Sequence, residues 1–357
     1  MPRRPRDDDD DDQPLRVRLS EQLRIDISAE LPGGRMLCNT VGRGQFPRAY
    51  VAVHPEATAV CWFLDVYQRD QTAGAEESEL EARIEWVCTA DPPEDPFDLV
   101  VWGFGTRGET ELVREMLQLG YQRLRDEGRF VAVIDNPDDQ WLHTELKKLY
   151  PKVTRRPVKK GVIYLCTKPG PLAKEKNYRA EFVFRDREKL IKSYTRPSVF
   201  SHRHIDVGAR TLINTMEIEP GQQVLDLGCG SGVVALAAAS RAEDVQVLAV
   251  DSNPRALECV QHGATANGLT GIDTLLDAGG QLIPRGQFDL VLANPPYFSH
   301  YRIAELFLRM AHRALKPGGT VHVVTKTPKW FAETMPQYFQ DVAAEQIKEY
   351  WVLTGTH

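Results

Sequence analysis

The sequence predicts an α/β protein of two tandem domains sharing one fold, each a mostly parallel sheet with helices on both faces. Three observations predict it. A chain of 357 residues is longer than one core comfortably serves. Each half alternates short β-branched apolar runs with segments of helical period, the pattern of βαβ units. The two halves also repeat each other at an offset of about 190 residues.

The repeat runs in order along both halves. Ala59 to Asp65 (AVCWFLD) mirrors Val245 to Asp251 (VQVLAVD), which places Asp65 opposite Asp251. Phe97 to Gly103 (FDLVVWG) mirrors Phe288 to Asn294 (FDLVLAN), and a helical stretch follows each, from Glu109 to Arg125 and on to Leu315. Gly128 to Ile134 mirrors Gly318 to Val324, with Trp141 and Trp330 shortly beyond; matching positions read best as packing. In the second half, Val224 to Leu227 reads as a buried strand, Val233 to Arg241 as an Ala-rich helix, and Arg255 to Ala266 as a helix stopped by Asn267-Gly268. Lys316 to Gly319 is a turn feeding a strand.

Charge is distributed unevenly. Asp7 to Asp12 account for the whole net charge of −6, and such a self-repelling run reads as part of a disordered acidic tail over residues 1–14. The first domain then spans 15–168, a basic, proline-containing linker 169–196, and the second domain 197–357. Lys152 to Arg203 holds 15 Lys/Arg against 4 Asp/Glu, an excess able to neutralise a phosphate backbone; a solvated basic surface without a partner is the alternative. No apolar run approaches the ~20 residues that span a bilayer, and the start carries charge without an apolar stretch. Six scattered cysteines without a CxxC pair are expected as free thiols in a cytoplasmic protein, and no His/Cys/Asp cluster predicts a metal. His202 and His204, in a basic loop-like stretch, read as phosphate contacts or as exposed side chains.

The chemistry concentrates in the second half. Asp226-Leu-Gly228-Cys-Gly230-Ser-Gly232 follows a strand and opens a helix, where glycines admit a ligand to the backbone and the helix start offers unpaired N–H groups. A dinucleotide would also use such a loop. An acidic residue before the glycines suits an ammonium better than a pyrophosphate. Asp251, at the end of the next strand, is placed to bind ribose hydroxyls, and together they favour S-adenosylmethionine over NAD. Asn294-Pro295-Pro296-Tyr297 closes a later strand. The prolines fix the backbone and remove two N–H donors. The Asn294 side-chain oxygen and the Pro295 carbonyl can then accept from an exocyclic amine and aim its lone pair for in-line transfer. Tyr297 offers a flat face on which a base can stack.

With these motifs in place, Phe182 to His357 resembles the bacterial ribosomal-RNA guanine-N2 methyltransferases of the RsmC/RlmG type. Pro197 to Ser201 (PSVFS) and Ile205 to Gly208 (IDVG) add to the match. The resemblance implies two tandem Rossmann-like class I methyltransferase domains with seven-stranded sheets, the first degenerate. It also implies S-adenosylmethionine as cofactor and ribosomal RNA or a ribosomal subunit as partner. The local charge of 152–203 makes that segment the expected RNA contact, and two fused domains able to bury each other's faces are expected to form a monomer. The resemblance makes Phe200, Ser201 and Asp206 secondary contacts of the cofactor pocket, and leaves Asp277 as the residue suited to contact adenine. The first domain lacks the equipment: Cys38 to Gly44 (CNTVGRG) stands against the glycine loop, and Gly103 to Thr106 (GFGT) against Asn294 to Tyr297. Adenine N6, a protein glutamine, or a non-catalytic RNA-binding role stay open as alternatives, since the Asn-Pro-Pro-Tyr motif is shared with adenine and glutamine methyltransferases.

Overall fold

The computed structural model describes residues 17–40, 42–74, 79–106, 108–296 and 301–357. The acidic tail, apart from its bearing on net charge, and Tyr297 lie outside them. In the first half, helix α1 (Leu19–Asp26) precedes strand β1 (Arg35–Cys38), α2 (Gln45–Val53), β2 (Thr58–Phe63), α3 (Val66–Ala73), β3 (Ile84–Cys88) and β4 (Phe97–Phe104). Then come α4 (Thr110–Arg123), β5 (Leu124–Ile134), α5 (Trp141–Leu146), β6 (Val153–Val158) and β7 (Gly161–Thr167). A hairpin of β8 (Ala180–Asp186) and β9 (Lys189–Thr195) leads into α6 (Val207–Thr215). The second half continues with β10 (Gln223–Leu227), α7 (Val233–Arg241), β11 (Gln246–Asp251), α8 (Pro254–Ala266), β12 (Ile272–Leu276) and β13 (Phe288–Ala293). It closes with α9 (Arg302–Ala314), β14 (Leu315–Thr325), α10 (Pro328–Thr334), β15 (Gln340–Ile347) and β16 (Tyr350–Thr356).

Both halves form seven-stranded sheets of one topology, β3-β2-β1-β4-β5-β7-β6 and β12-β11-β10-β13-β14-β16-β15. Five strands of each are parallel; β7 and β16 run antiparallel to their neighbours. The alternation of side chains along each central strand feeds two cores, one per face. Val224, Leu290 and Leu292 enter one, and Leu225, Val291 and Ala293 the other. The duplication extends to irregularities. Pairing shifts register between Phe97 and Leu99 and again between Phe288 and Leu290. At each shift an aspartate accepts a bond from the first N–H of the domain's opening strand: Asp98 from Arg35 N at 2.7 Å, Asp289 from Gln223 N at 2.8 Å.

Register corrects one sequence alignment. Arg35 pairs with Thr58 as Gln223 pairs with Gln246, so the residue equivalent to Asp251 is Phe63, not Asp65. Asp65 instead caps α3, accepting from Tyr67 N and Gln68 N, as Asn253 caps α8. The segment 169–196 also holds more structure than a linker implies. Phe184 and Ile191 from the β8–β9 hairpin are buried in the second domain's core, and Asp186 pairs with Arg241 at 2.8 Å.

A buried ionic network joins the domains. Glu115 on α4 receives Arg196 at 2.9 Å and Arg255 at 2.6 Å; Arg196 also binds Asp91 and Glu258, each at 2.6 Å. Arg255 is fully buried, lies over the Trp62 ring, and donates to the carbonyls of Ala90 and Pro197. Burial opposes the Arg196 charge, but the Asp91 hydrogen bond and the Glu115 and Glu258 charges outweigh it and raise its pKa. Beside this network, Val66 N donates to Ser252 O at 2.9 Å, so the ends of β2 and β11 meet.

Candidate active site

The site forms at the carboxyl ends of β10, β11 and β13, where parallel strands hand over to helices and loops. Asp226, 3% exposed near the end of β10, accepts from Ala235 N at 3.0 Å in the first turn of α7. Burial pushes its carboxyl up to about 7; the Ala235 bond works against this, and the nearby Asp251 charge adds to it. Asp251, ending β11, accepts from Gly230 N and Asn253 N at 2.9 Å each, and burial raises its pKa too. Two suppressed carboxylates therefore flank the glycine loop, and a cationic ligand would relieve both.

The loop conforms to a close-approach turn. Gly228, Gly230 and Gly232 all take positive φ (70°, 52° and 77°), and a Cβ on Gly232 would lie 2.7 Å from Val260 Cγ2. Above Gly230, a Cβ would meet Phe200 alone, at 3.9 Å. Phe200 is 67% exposed, and its Cβ and carbonyl are the atoms that come near the loop. It belongs to a strap, residues 196–206, in which Ser198, Ser201 and Arg203 adopt positive φ, a sparsely populated region for such residues. The first domain holds that strap: Glu111 accepts from His202 Nε2 at 3.0 Å and from Arg203 Nη2 at 3.1 Å, and Glu109 accepts from Ser198 N at 2.9 Å. Asn253 completes the hold by donating to Ser198 O at 3.0 Å. Sequence reasoning missed Glu109 and Glu111; nothing local marks a helical glutamate that reaches the other domain.

Asn294 and the buried Pro295 follow β13 directly, with Pro296 half-buried beyond them. The Asn294 amide Nδ2 donates to Asp206 Oδ2 at 3.0 Å, and the same oxygen caps α6 through Ala209 N at 3.0 Å. Asp206 thus touches Asn294 rather than the glycine loop. Asp277, after β12, is also occupied: Oδ1 accepts from Gly279 N and Gly280 N and Oδ2 from Leu282 N, which moulds the loop beyond the strand.

The equivalent region of the first domain is filled by protein. Gly103 stands where the second domain has Asn294, and a Cβ there would lie 2.5 Å from Arg24 Cζ. The fully buried Arg24 binds Asn39 and pairs with Glu21, whose other oxygen takes Phe46 N at the start of α2. Helix α1 thereby plugs the space that a ligand would use. Gly42 and Gly44, the latter at the helix cap with φ of 72°, are what remains of the loop's glycines.

The 152–203 segment spends much of its charge internally. Arg156, Arg179, Arg187, Arg196 and Arg203 all pair with carboxylates. Lys159, Lys160, Lys174, Arg185 and Lys192 are exposed without an ion pair among the described residues. All six cysteines are unpaired. No helix among the described residues is long and apolar enough to cross a membrane.

Sheet order, antiparallel last strands, glycine loop and Asn-Pro-Pro corner together define a pair of Rossmann-like class I methyltransferase folds, with Arg24 occupying the corner of the first. Residues 191–354 match the family described as the methyltransferase small domain. The chain is similar to ribosomal RNA small subunit methyltransferase C of Haemophilus influenzae, 29% identical over 185 residues (51% of this chain, 55% of the relative). It is 32% identical over 149 residues to the Klebsiella pneumoniae protein of the same name, covering 41% of this chain and 43% of the relative. The chain thus spans about half the length of these relatives. Among solved structures, the Thermus 16S rRNA N2 G1207 methyltransferase (RsmC), in complex with AdoMet and guanosine, superimposes with a TM-score of 0.76. That match covers 94% of this chain and 91% of the other at 20% identity, and extends the likeness of fold to both domains.

Proposed function

We propose that the chain is an S-adenosylmethionine-dependent methyltransferase acting on the exocyclic N2 of a guanine in ribosomal RNA. The observation that carries this is the Asn294–Pro295 corner at the end of β13, whose amide nitrogen is held by Asp206. Its relatives' names and the guanosine complex of the solved neighbour support guanine over adenine N6.

The residues present fit the cofactor. Asp226 is placed for its ammonium, Asp251 for its ribose hydroxyls, and Gly228, Gly230 and Gly232 bring backbone within reach under Phe200. Bound S-adenosylmethionine supplies a methyl group on an electrophilic sulfonium. Asn294 Oδ1 and the Pro295 carbonyl accept the two N–H bonds of the target amine, which turns the nitrogen lone pair toward that methyl. Proline at 295 and 296 leaves no competing N–H at the corner. The amine proton departs after transfer, so no strong base is required. Tyr297 is the proposed stacking face, Asp277 shapes the adenine end through the loop it holds, and the exposed lysines and Arg185 of 152–203 are the proposed RNA grip on a monomer.

The test is transfer of labelled methyl to ribosomal RNA and to subunits, followed by nucleoside analysis. N2-methylguanosine is expected, absent in Asn294→Ala although that variant keeps near-normal cofactor affinity. Methylated adenine would move the acceptor, and activity surviving Asn294→Ala would refute the site.

A further inference from the structure

We propose that Asp206 is a positioning residue that fixes which way the Asn294 carboxamide faces. This rests on the methyl-transfer reading above. A primary amide presents an acceptor, Oδ1, and a donor, Nδ2, of nearly equal shape, and half a turn about its last bond exchanges them. The reaction tolerates one orientation. An exocyclic amine arrives as a donor, so Oδ1 must meet it; Nδ2 in that place would set donor against donor and push the nitrogen out of line.

Nothing in the Asn-Pro-Pro sequence selects between these states. Asp206 does. An ionised carboxylate only accepts, so the end of the amide 3.0 Å from Asp206 Oδ2 has to be Nδ2, which fixes Oδ1 as the other end, beside Gly208. No described residue donates to Oδ1, so its accepting capacity is unspent within the protein. The carboxylate is itself pinned, because Oδ2 accepts from Ala209 N as the cap of α6. Packing closes the arrangement: a Cβ on Gly208 would lie 2.9 Å from Asp206 Oδ2, 3.0 Å from Asn294 Oδ1 and 3.1 Å from Tyr350. Only glycine leaves the two side chains room to meet.

Two substitutions separate positioning from capping. Asp206→Ser keeps a capping oxygen but is too short to reach Asn294; Asp206→Asn places an amide oxygen where Oδ2 stands and keeps both bonds. Expected for the Ser variant are wild-type melting and cofactor affinity, kcat down about 10- to 100-fold, and RNA KM within about threefold. The Asn variant should recover to within about fivefold of wild type. A capping role alone would leave both variants near wild type, and that result overturns the proposal, as does equal impairment of the two. Side-chain amide NMR gives a readout free of activity, with the Asn294 signal assigned by its loss in Asn294→Ala. One Nδ2 proton should be protected in the wild type and Asn variant and unprotected in the Ser variant. A protected proton without N2-methylguanosine formation would sink the functional reading alone; an unprotected one in wild type sinks this proposal.

Discussion

Replacing Glu115 by alanine tests how the two domains depend on each other. Within the buried network three arginines (179, 196 and 255) face three carboxylates (Asp91, Glu115 and Glu258). Glu115 makes close bonds to both buried partners, at 2.9 and 2.6 Å. Without it Arg196 retains Asp91 and Glu258. Arg255 retains two carbonyls and an Asp91 oxygen 3.7 Å away, which leaves one buried positive charge poorly matched. Burial already pulls Arg255 down to about 10, with the Glu115 and Asp91 charges opposing it, so loss of Glu115 removes the main support of its charged form. Breaking a buried pair from one side costs about 3–5 kcal/mol, whereas an exposed pair is worth about 0–1. For a chain of this size that is a fall in Tm of about 4–7 °C. The control is Glu217→Ala, which breaks the Arg187 pair whose partners are 53% and 83% exposed and should shift Tm by less than about 1 °C. Calorimetry measures both, and should also show the single transition of wild type splitting as the domains uncouple. A Glu115→Ala midpoint within about 2 °C of the control would refute the account of the interface.

Two further outcomes follow from the site. Asp226 has a folded pKa of about 7 against an ordinary value of 3.8, so its contribution to stability is full below about 3.8 and is lost as pH rises through 7. A cationic cofactor favours the ionised form, so its affinity should rise from about pH 5.5 by up to about tenfold per unit, level off above about 7, and flatten throughout in Asp226→Asn; a flat wild-type profile would contradict the assignment. Glu111 holds the strap through His202 and Arg203, so Glu111→Ala should weaken cofactor binding about 3- to 10-fold by titration calorimetry with Tm moved less than about 2 °C, and unchanged affinity would show that the strap stands without the first domain.

Much of this molecule was legible in its chain. Apolar alternation gave the strands, glycine and proline gave the turns, and the repeat gave two copies of one fold, since each is a local pattern of spacing. The places of Asp226, Asp251 and Asn294 at strand ends were legible because each lies at the close of an apolar run. Asp65 was misplaced against Asp251 for a physical reason: a slip of two residues leaves the inward and outward alternation intact, and only the pairing of Arg35 with Thr58 and Gln223 with Gln246 reveals it.

What the sequence by itself determined, then, is the pair of sheets and the open loop of the second. The tertiary structure alone decided that Arg24 fills the first site, that Arg196 and Arg203 of the basic segment serve the interface, and that Asp206 holds Asn294. Each of these joins groups distant along the chain, between 79 residues for Arg24 and Gly103 and 105 for Asp91 and Arg196. Periodicity is a property of neighbours. A charge finds its partner only once the chain has folded and shut out the water that would otherwise solvate it.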